Sequence, residues 1–534
     1  MTDLLTWWPT KIFLLVNGLV AVAVFLRVAP DFLWRALYTT GRCLGPWQAG
    51  VMDPRVASAG GAGEPAHGTY WYRQVWTDIG SATLSGVHAV RYALVHEWFG
   101  RITRNLFHGR RPGGALGENG FTRTVMRCVG VGVGAGAGLA AVFAGLLFAQ
   151  AVALLVLFVA VVCAALAFVA VAVRAVEGAA RLLRGVRMAC PHPGCYRRIA
   201  LPVHRCPTCG ARHERLRPGR FGVLRRICVC GTALRTSLPG GRGELAAACP
   251  HCDQRLPREL GTVRTVHLPV VGGTSSGKTM LLAAMVAGLA SWERRGLLGM
   301  ACATRTDVDE LAALNRQLDG DGWAHATTGR QPRALMLLVS KGRRRRLLYL
   351  YDPMGESLRD AGAVREQQYL AHADGVVLVV DALAEPGVRS RLGGDDGGRA
   401  VGARPSPEGP MATYERLAGE MQALTGRRGR TPVATVVTKR DVLDRLVSLP
   451  VPGPRTDAWL ESVGLGNLVR GLGHTFGRTR YWAVSARAAT GAGALDGEQR
   501  RAAEPVLWLL GQTGLPVRKL LVDEVRVPDG KVKA

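Results

Sequence analysis

The sequence predicts an α/β domain with a mostly parallel sheet and helices on both faces, preceded by a small cysteine-rich module and by apolar α-helices. Three observations predict it. A glycine-rich loop, "GGTSSGKT" (Gly272–Thr279), stands between an apolar run and a segment of helical period. Eight of the twelve cysteines fall between Cys190 and Cys252 in four close pairs, and from Val129 to Val173 the chain runs 45 residues without a charge. A chain of 534 residues exceeds what one core organises. The expected parts are a region 1–128 with an apolar span at about 7–26, a membrane hairpin 129–174, a cysteine module 188–258, the α/β domain 262–515 and a tail 516–534.

The formal net charge of +28 would ordinarily point to nucleic acid or an anionic membrane surface. Here 61 of the 68 basic residues are arginine, in a chain also rich in Ala, Gly and Val, which is the mark of compositional bias. A lysine in such a chain marks a place where the guanidinium fork does not serve, and Lys278 and Lys439 are two of the seven.

Trp7–Leu26 contains Lys11 and Asn17, opens on Trp7 and Trp8, and is followed by Arg27, Arg35 and Arg42. It reads as a first span with its N-terminus outside, since basic flanks favour the cytoplasm. A removable signal peptide is disfavoured, because no small-residue cleavage site follows. Residues 27–127 are then cytoplasmic, and Tyr70–Phe107 reads equally as an interfacial or a packed helix. A straight helix of the 129–173 run would be roughly 65 Å long against a hydrocarbon core of ~30 Å, so two passes turning at Gln150 are expected. Arg123 and Arg127 before it, and Arg174, Arg181, Arg184 and Arg187 after it, place both ends in the cytoplasm. Gly130, Gly134 and Gly138 suggest a small-residue ridge for helix packing.

The pairs "CPHPGC", "CPTC", "CVC" and "CPHC" have the spacing of two tetrahedral thiolate sites, with Gly210 and Gly231 directly after a pair. Zinc is the expected metal, two ions in all, in an arrangement that resembles tandem zinc ribbons. Sequential pairing places Cys190, Cys195, Cys206 and Cys209 on one ion and Cys228, Cys230, Cys249 and Cys252 on the other. The short Cys228–Cys230 spacing leaves a cross-braced arrangement open. Disulfides are disfavoured beside a nucleotide loop that needs cytosolic substrate. His192, His204, His213 and His251 then stand outside the ligand sets, and Cys43, Cys128, Cys163 and Cys302 read as apolar residues.

"GGTSSGKT" fits GxxxxGK[ST], in which Gly272, Gly273, Thr274, Ser275, Ser276 and Gly277 present backbone N–H groups to phosphates. Lys278 reaches the outer phosphates and Thr279 coordinates magnesium. The preceding "TVRTVHLPVV" reads as a buried strand and "KTMLLAAMVAGLA" as a helix, so the anion meets a helix N-terminus. "RLLYLYDPMGE" ends a strand on Asp352, a second magnesium candidate, with Gly355 placed to sense a γ-phosphate. "TPVATVVTKRD" ends on Thr438, Lys439 and Asp441, and "SAR" (Ser485, Ala486, Arg487) follows "RYWAV". A carboxylate at 441 can accept from guanine N1–H and N2, which adenine does not offer, while Lys439 lies along the base. The alternative for Asp441 is a helix N-cap.

In these four boxes, in this order, the chain resembles the Ras-like and translation-factor-like P-loop GTPases over about Thr262–Gly514. That resemblance implies an α/β P-loop GTPase domain binding GTP/GDP with Mg2+. Ras-like enzymes often carry Gln after the DxxG glycine, where this chain has Glu356, so slow intrinsic hydrolysis is implied. Thr327 and Thr328 are the candidates for the switch threonine. "DPMGE", the cysteine module and the membrane segments together are similar to bacterial double-GTPase proteins, which implies a role in conflict, defence or signalling and a partner GTPase or effector. "KGRRRR" (341–346) reads as a hairpin tip, and 385–411 as a mobile insertion. The expectation is a multi-pass protein of the cell membrane with cytoplasmic zinc and nucleotide domains. It acts as a GTP-dependent switch, rather than as a zinc-ribbon reader of nucleic acid or a GTP-binding scaffold without turnover.

Overall fold

The computed structural model describes residues 2–43, 64–72, 74–100, 103, 120–324, 333–352, 370–425 and 431–523. They divide into two units, Met1–Val176 with Thr208–Arg242, and Glu177–Pro207 with Gly243–Ala534.

The first unit is built on α1 (Thr2–Cys43), α2 (Gln74–Tyr92, continued as a π-helical stretch to Phe99) and α3, which begins at Gly120 and ends at Leu183. α1 and α3 run parallel and α2 returns antiparallel to both. Val28, Ala29 and Phe32 of α1 share a core with Ala140 and Ala144 of α3 and with Ala93 beyond α2. Val75 and Ile79 at the start of α2 pack on Val159, and the Cys163 thiol donates to the Trp71 carbonyl at 2.9 Å. A charged contact crosses the bundle, Arg35 to Glu97 at 2.8 Å. Thr10–Arg42 and Val129–Leu183 are long and apolar enough to cross a bilayer.

Two expectations are corrected here. The 129–174 hairpin is replaced by one unbroken helix of 64 residues, ~96 Å long, that passes through Gln150 without a turn. Around Gln150 the chain is Leu, Phe, Ala and Val, with no Pro, Asn or Asp to interrupt hydrogen bonding. The glycine ridge is also shifted in phase. A Cβ on Gly132 would strike Asn17, and one on Gly136 would strike the Ala21 carbonyl, whereas Gly138 faces open space. Gly132 and Gly136 are therefore the residues that let α1 approach.

In the second unit a seven-stranded sheet has the order β7-β6-β5-β1-β4-β3-β2. Its strands are β1 (Arg264–Val271), β2 (Gly299–Cys302), β3 (Ala334–Lys341), β4 (Arg344–Tyr351), β5 (Val376–Val380), β6 (Val433–Val437) and β7 (Thr479–Ala483). β4, β1, β5, β6 and β7 are parallel, while β3 runs antiparallel to both β4 and β2. The central strands are apolar on both faces, as a doubly covered parallel sheet requires. One face is covered by α4 (Lys278–Arg294) and α8 (Asp496–Gln512), through Leu281, Met285 and Leu289 against Ala503, Leu507 and Leu510. The other carries α6 (Pro410–Thr425) and α7 (Gly466–Phe476), with Leu417, Met421, Leu468 and Leu472. Between β2 and β3 lies α5 (Arg305–Asp321), opened by a capping box in which Thr304 and Asp307 satisfy each other's backbone N–H.

"KGRRRR" forms the β3–β4 hairpin, its turn made by Gly342 at φ 58°. Residues 385–411, expected as a mobile insertion, carry two short helices, Pro386–Arg389 and Gly394–Gly402. Val388 and Ala400 join the sheet's core, and Asp396 accepts from the Ser448 hydroxyl at 2.7 Å. The segment from 516 begins folded, with Val517, Leu520 and Leu521 closing the α4–α8 core.

Candidate nucleotide site and cysteine clusters

The chain leaves β1 at Gly272 and re-enters regular structure at Lys278, the first residue of α4. Ser275 (φ 61°) and Gly277 (φ 93°) both take left-handed conformations, which turns successive N–H groups toward one point. Lys278 folds back so that its Nζ donates to the carbonyls of Gly272 (3.1 Å) and Gly273 (2.9 Å). Burial pushes its pKa down, opposed by the Asp352 carboxylate. The hydroxyl oxygens of Thr274 and Ser276 are buried without a hydrogen-bond partner among the described residues. With the N–H groups of the first turn of α4 they form a donor set suited to phosphate oxygens.

At the end of β4, Asp352 Oδ2 accepts from Thr279 Oγ1 at 2.6 Å. The two expected magnesium ligands therefore meet, and a hydroxyl with a carboxylate is an oxygen set that suits this hard cation. Thr327, Thr328, Gly355 and Glu356 lie outside the described residues.

The third and fourth boxes come to the same end of the sheet. Thr438 donates to the Ser276 carbonyl at 2.7 Å, tying the end of β6 to the phosphate loop. Lys439 adopts φ 59°, ψ 32° and stands at the N-cap position of the short helix Arg440–Leu443, which has no side-chain cap. Asp441 therefore does not cap; its Oδ1 instead accepts from Ser485 Oγ at 3.1 Å. Ser485 itself accepts from the Ala488 N–H at 3.2 Å, with Ala486 buried behind it and Arg487 exposed.

Sequence reasoning missed three supports. Asp381, the first residue after β5, is buried and accepts Lys439 Nζ at 2.6 Å, the Leu383 N–H at 3.1 Å and the Ser406 N–H at 2.8 Å. It closes an apolar strand as Asp352 does, so the same reading of strand ends would have found it. Lys439 Nζ also donates to the Arg404 carbonyl at 2.9 Å, which brings the 385–411 segment to the site. Glu498 of α8 accepts from Arg440 and from the Ser485 N–H, both at 3.4 Å, and no local pattern announces it.

The cysteines are paired otherwise than in sequence order. Cys190, Cys195, Cys249 and Cys252 form one set and Cys206, Cys209, Cys228 and Cys230 the other, all sulfurs of a set lying within 4.8 Å of one another. The pairing is nested, neither sequential nor cross-braced: the first pair closes on the fourth and the second on the third. The strand Val203–Arg205 pairs antiparallel with Ala247–Ala248, which carries the Cys249–Cys252 turn back beside the first pair. The Arg225–Ile227 and Ala233–Arg235 hairpin then presents Cys228 and Cys230 to the inner pair. Sulfur separations of 3.6 Å (Cys190–Cys252), 3.8 Å (Cys195–Cys249) and 3.6 Å (Cys209–Cys228) match the ~3.8 Å edge of a tetrahedron with Zn–S bonds of ~2.3 Å. Burial pushes the Cys190 thiol up, and the sulfurs of Cys249, Cys195 and Cys252 add to the shift, a repulsion that a dication relieves. Both sets fit zinc. His192 Nε2 meets the Arg255 carbonyl at 2.8 Å, and His213 lies beside Glu64, so neither belongs to a ligand set.

A glycine-rich loop at a helix N-terminus, a strand-end carboxylate on its threonine and a second carboxylate tied to a serine box define a P-loop GTPase domain, a GTP-binding protein. Residues 266–496 match the family model described as Double-GTPase 2, and the domain belongs to the double-GTPase family. Among solved structures, the chain is similar to the Arl6 (BBS3) small GTPase from Trypanosoma brucei with bound GppNp. That match has 14% identity and a TM-score of 0.25 over 47% of this chain and 98% of that one. No curated protein matches the chain.

Proposed function

We propose that this chain is a membrane-anchored GTP-dependent switch that hydrolyses GTP slowly, with zinc at both cysteine sets. The observation that supports this reading best is the convergence of four sequence boxes at one end of the sheet, with Thr279 on Asp352 and Ser485 on Asp441. In it, Gly272–Thr279 hold the phosphates, Thr279 and Asp352 hold Mg2+, and Asp441 reads guanine while Ser485, Ala486 and Arg487 close over its carbonyl edge. Asp381 holds the Lys439 ammonium in place so that the lysine stem lies along the base. Magnesium supplies charge neutralisation at the β- and γ-phosphates when bound. Glu356, a carboxylate where charge repels the γ-phosphate, favours slow turnover and activation by a partner GTPase or effector.

The membrane reading rests on α1 and α3. They are parallel, and each ends in arginines, Arg27, Arg35 and Arg42 in one and Arg174, Arg181 and Arg184 in or just after the other. On this reading the C-terminal ends of α1 and α3 face the cytoplasm, as do the cysteine sets and the nucleotide domain that follow α3 in the chain, and the Arg123–Arg127 end of α3, expected in the cytoplasm for a hairpin, lies on the other side. The antiparallel α2 returns the chain between them. A role in bacterial conflict, defence or signalling is the context that the family resemblance suggests.

The deciding experiment is competition of GTP and ATP for the purified full chain with Mg2+, repeated with Asp441→Asn. The expected outcome is at least ~100-fold preference for GTP, lost in the variant with a gain for xanthosine triphosphate. Equal affinity for GTP and ATP in the unsubstituted chain sinks the assignment of the base. Single-turnover phosphate release then separates a slow enzyme from a scaffold.

A further inference from the structure

The helix unit contains a cavity of ≈ 940 Å³ that the nucleotide chemistry does not use. One wall is α3, through Leu166, Ala170 and Val171, and Trp71 and Phe221 extend this apolar surface. The opposite wall is the 214–226 loop of the inner cysteine module. Six arginines line the cavity against two glutamates, Glu64 and Glu214. Glu64 is already taken, accepting Arg226 Nη1 at 2.7 Å and the Arg215 N–H at 2.6 Å. Arg174 is held by the Pro218 carbonyl, Nε to O 2.6 Å, and Arg220 lies over Phe221 at 4.8 Å. Arg217 and Arg225 are exposed and have neither an ion pair nor a side-chain hydrogen bond among the described residues. The cavity therefore has uncompensated positive charge at one wall and hydrocarbon at the other.

Charge alone would admit any anion, but the apolar wall narrows the choice. The outward face of α3 at this level is apolar as well, with Leu157, Val161 and Phe168 61%, 59% and 74% exposed. A small soluble anion would leave that wall uncovered, whereas an anion attached to hydrocarbon chains satisfies both walls at once. We propose that this cavity binds one anionic phospholipid, its phosphate on Arg217 and Arg225 with Arg174 fixed behind them, and its acyl chains along Leu166, Ala170 and Val171. The inference rests on the membrane reading above. It couples the inner cysteine module to the composition of the bilayer surface.

The test uses the full chain, zinc-loaded and solubilised in detergent, with native mass spectrometry after exposure to palmitoyl-oleoyl phosphatidylglycerol, palmitoyl-oleoyl phosphatidylcholine or glycerol 3-phosphate. One phosphatidylglycerol should remain bound where phosphatidylcholine and glycerol 3-phosphate do not. Arg217→Glu with Arg225→Glu should reduce that occupancy at least tenfold, and Arg217→Lys with Arg225→Lys should restore most of it. Unchanged zinc content and GTP affinity certify that each variant is folded. Equal retention of the two lipids, undiminished retention by the Glu variant, full occupancy by glycerol 3-phosphate, or an acidic polypeptide that lipid does not displace each overturns the proposal. Alkaline extraction of membranes distinguishes the two readings. A chain released into the soluble fraction fails both, and a chain that stays in the membrane without lipid preference fails this one alone.

Discussion

Cys190, Cys195 and Cys249 lie in the same apolar core as Tyr196, Tyr351 and the α6–α7 face of the nucleotide sheet, whereas Cys209 and Cys230 of the other set are exposed. The outer set is held by packing: Tyr196 meets Tyr351 edge to face at 5.9 Å, and Tyr351 in turn stacks on His267 of β1. The inner set is held by polar pairing. Residues 64–69 lie along its hairpin, with His67 N–H to the Ile227 carbonyl at 2.9 Å and Val229 N–H to that of Pro65 at 3.1 Å. Beneath them Glu64 and Arg226 form a buried pair beside His213. Identical ligand chemistry thus has different reach. A metal set inside a core is part of that core's stability, while one on a hairpin organises its hairpin.

The largest expected effect is on the outer set. Cys190→Ser with Cys249→Ser removes a site whose metal-linked folding energy is on the order of 10 kcal/mol, and it opens the core beneath the nucleotide sheet. Zinc content should fall and GTP binding should be lost with it, read by elemental analysis and nucleotide titration. Next is Glu64→Gln, which strands the Arg226 charge in a buried site and should destabilise the helix unit by about 3 kcal/mol in urea titration. A negligible change would mean that the inner set, not the ion pair, holds that module together.

The aromatic stack under the outer set has a pH signature. Burial, reinforced by the charge of His372, lowers His267 to about 3, while the unfolded chain retains the ordinary value near 6.5. The folded state therefore refuses a proton that the unfolded state takes, and stability is full above pH 6.5 and falls as pH drops toward 3. Between pH 6.5 and 5 the loss is about 2 kcal/mol, and His267→Phe should remove that slope from the denaturation midpoint of the nucleotide domain. The smallest effect is expected at the exposed set. Cys209→Ser with Cys230→Ser should lower zinc to one per chain and leave GTP affinity within about twofold, since neither residue enters the nucleotide domain's core. Loss of GTP binding in that variant would erase the distinction between the two sets.

What was legible in the sequence was whatever is contiguous. The loop Gly272–Thr279 is one turn between a strand and a helix, so its place in the fold reads directly from eight letters. The position of Thr438–Asp441 was also readable, because it ends a strand whose neighbours all end at the same edge. Asp381 was legible in the same way, as the carboxylate that ends β5, but Glu498 was not, because its partner Ser485 lies 13 residues away and only folding brings the two into register. The glycine ridge was misphased by two residues for a related reason. Helical period shows that small residues share a face, but the choice between Gly134/Gly138 and Gly132/Gly136 depends on where α1 lies.

By itself the chain determined its ingredients: which segments are apolar, which cysteines are close enough to bind metal in pairs, and which loop turns successive backbone donors toward one point. These follow from local chemistry, since spacing along a strand, turn or helix is set by bond geometry. Tertiary structure alone decided that α3 passes through Gln150 unbroken, that the first cysteine pair closes on the fourth, and that the 385–411 segment reaches Lys439. Each of these outcomes turns on one surface packing against another distant in sequence, and the free energy that selects among such pairings is a property of the assembled core.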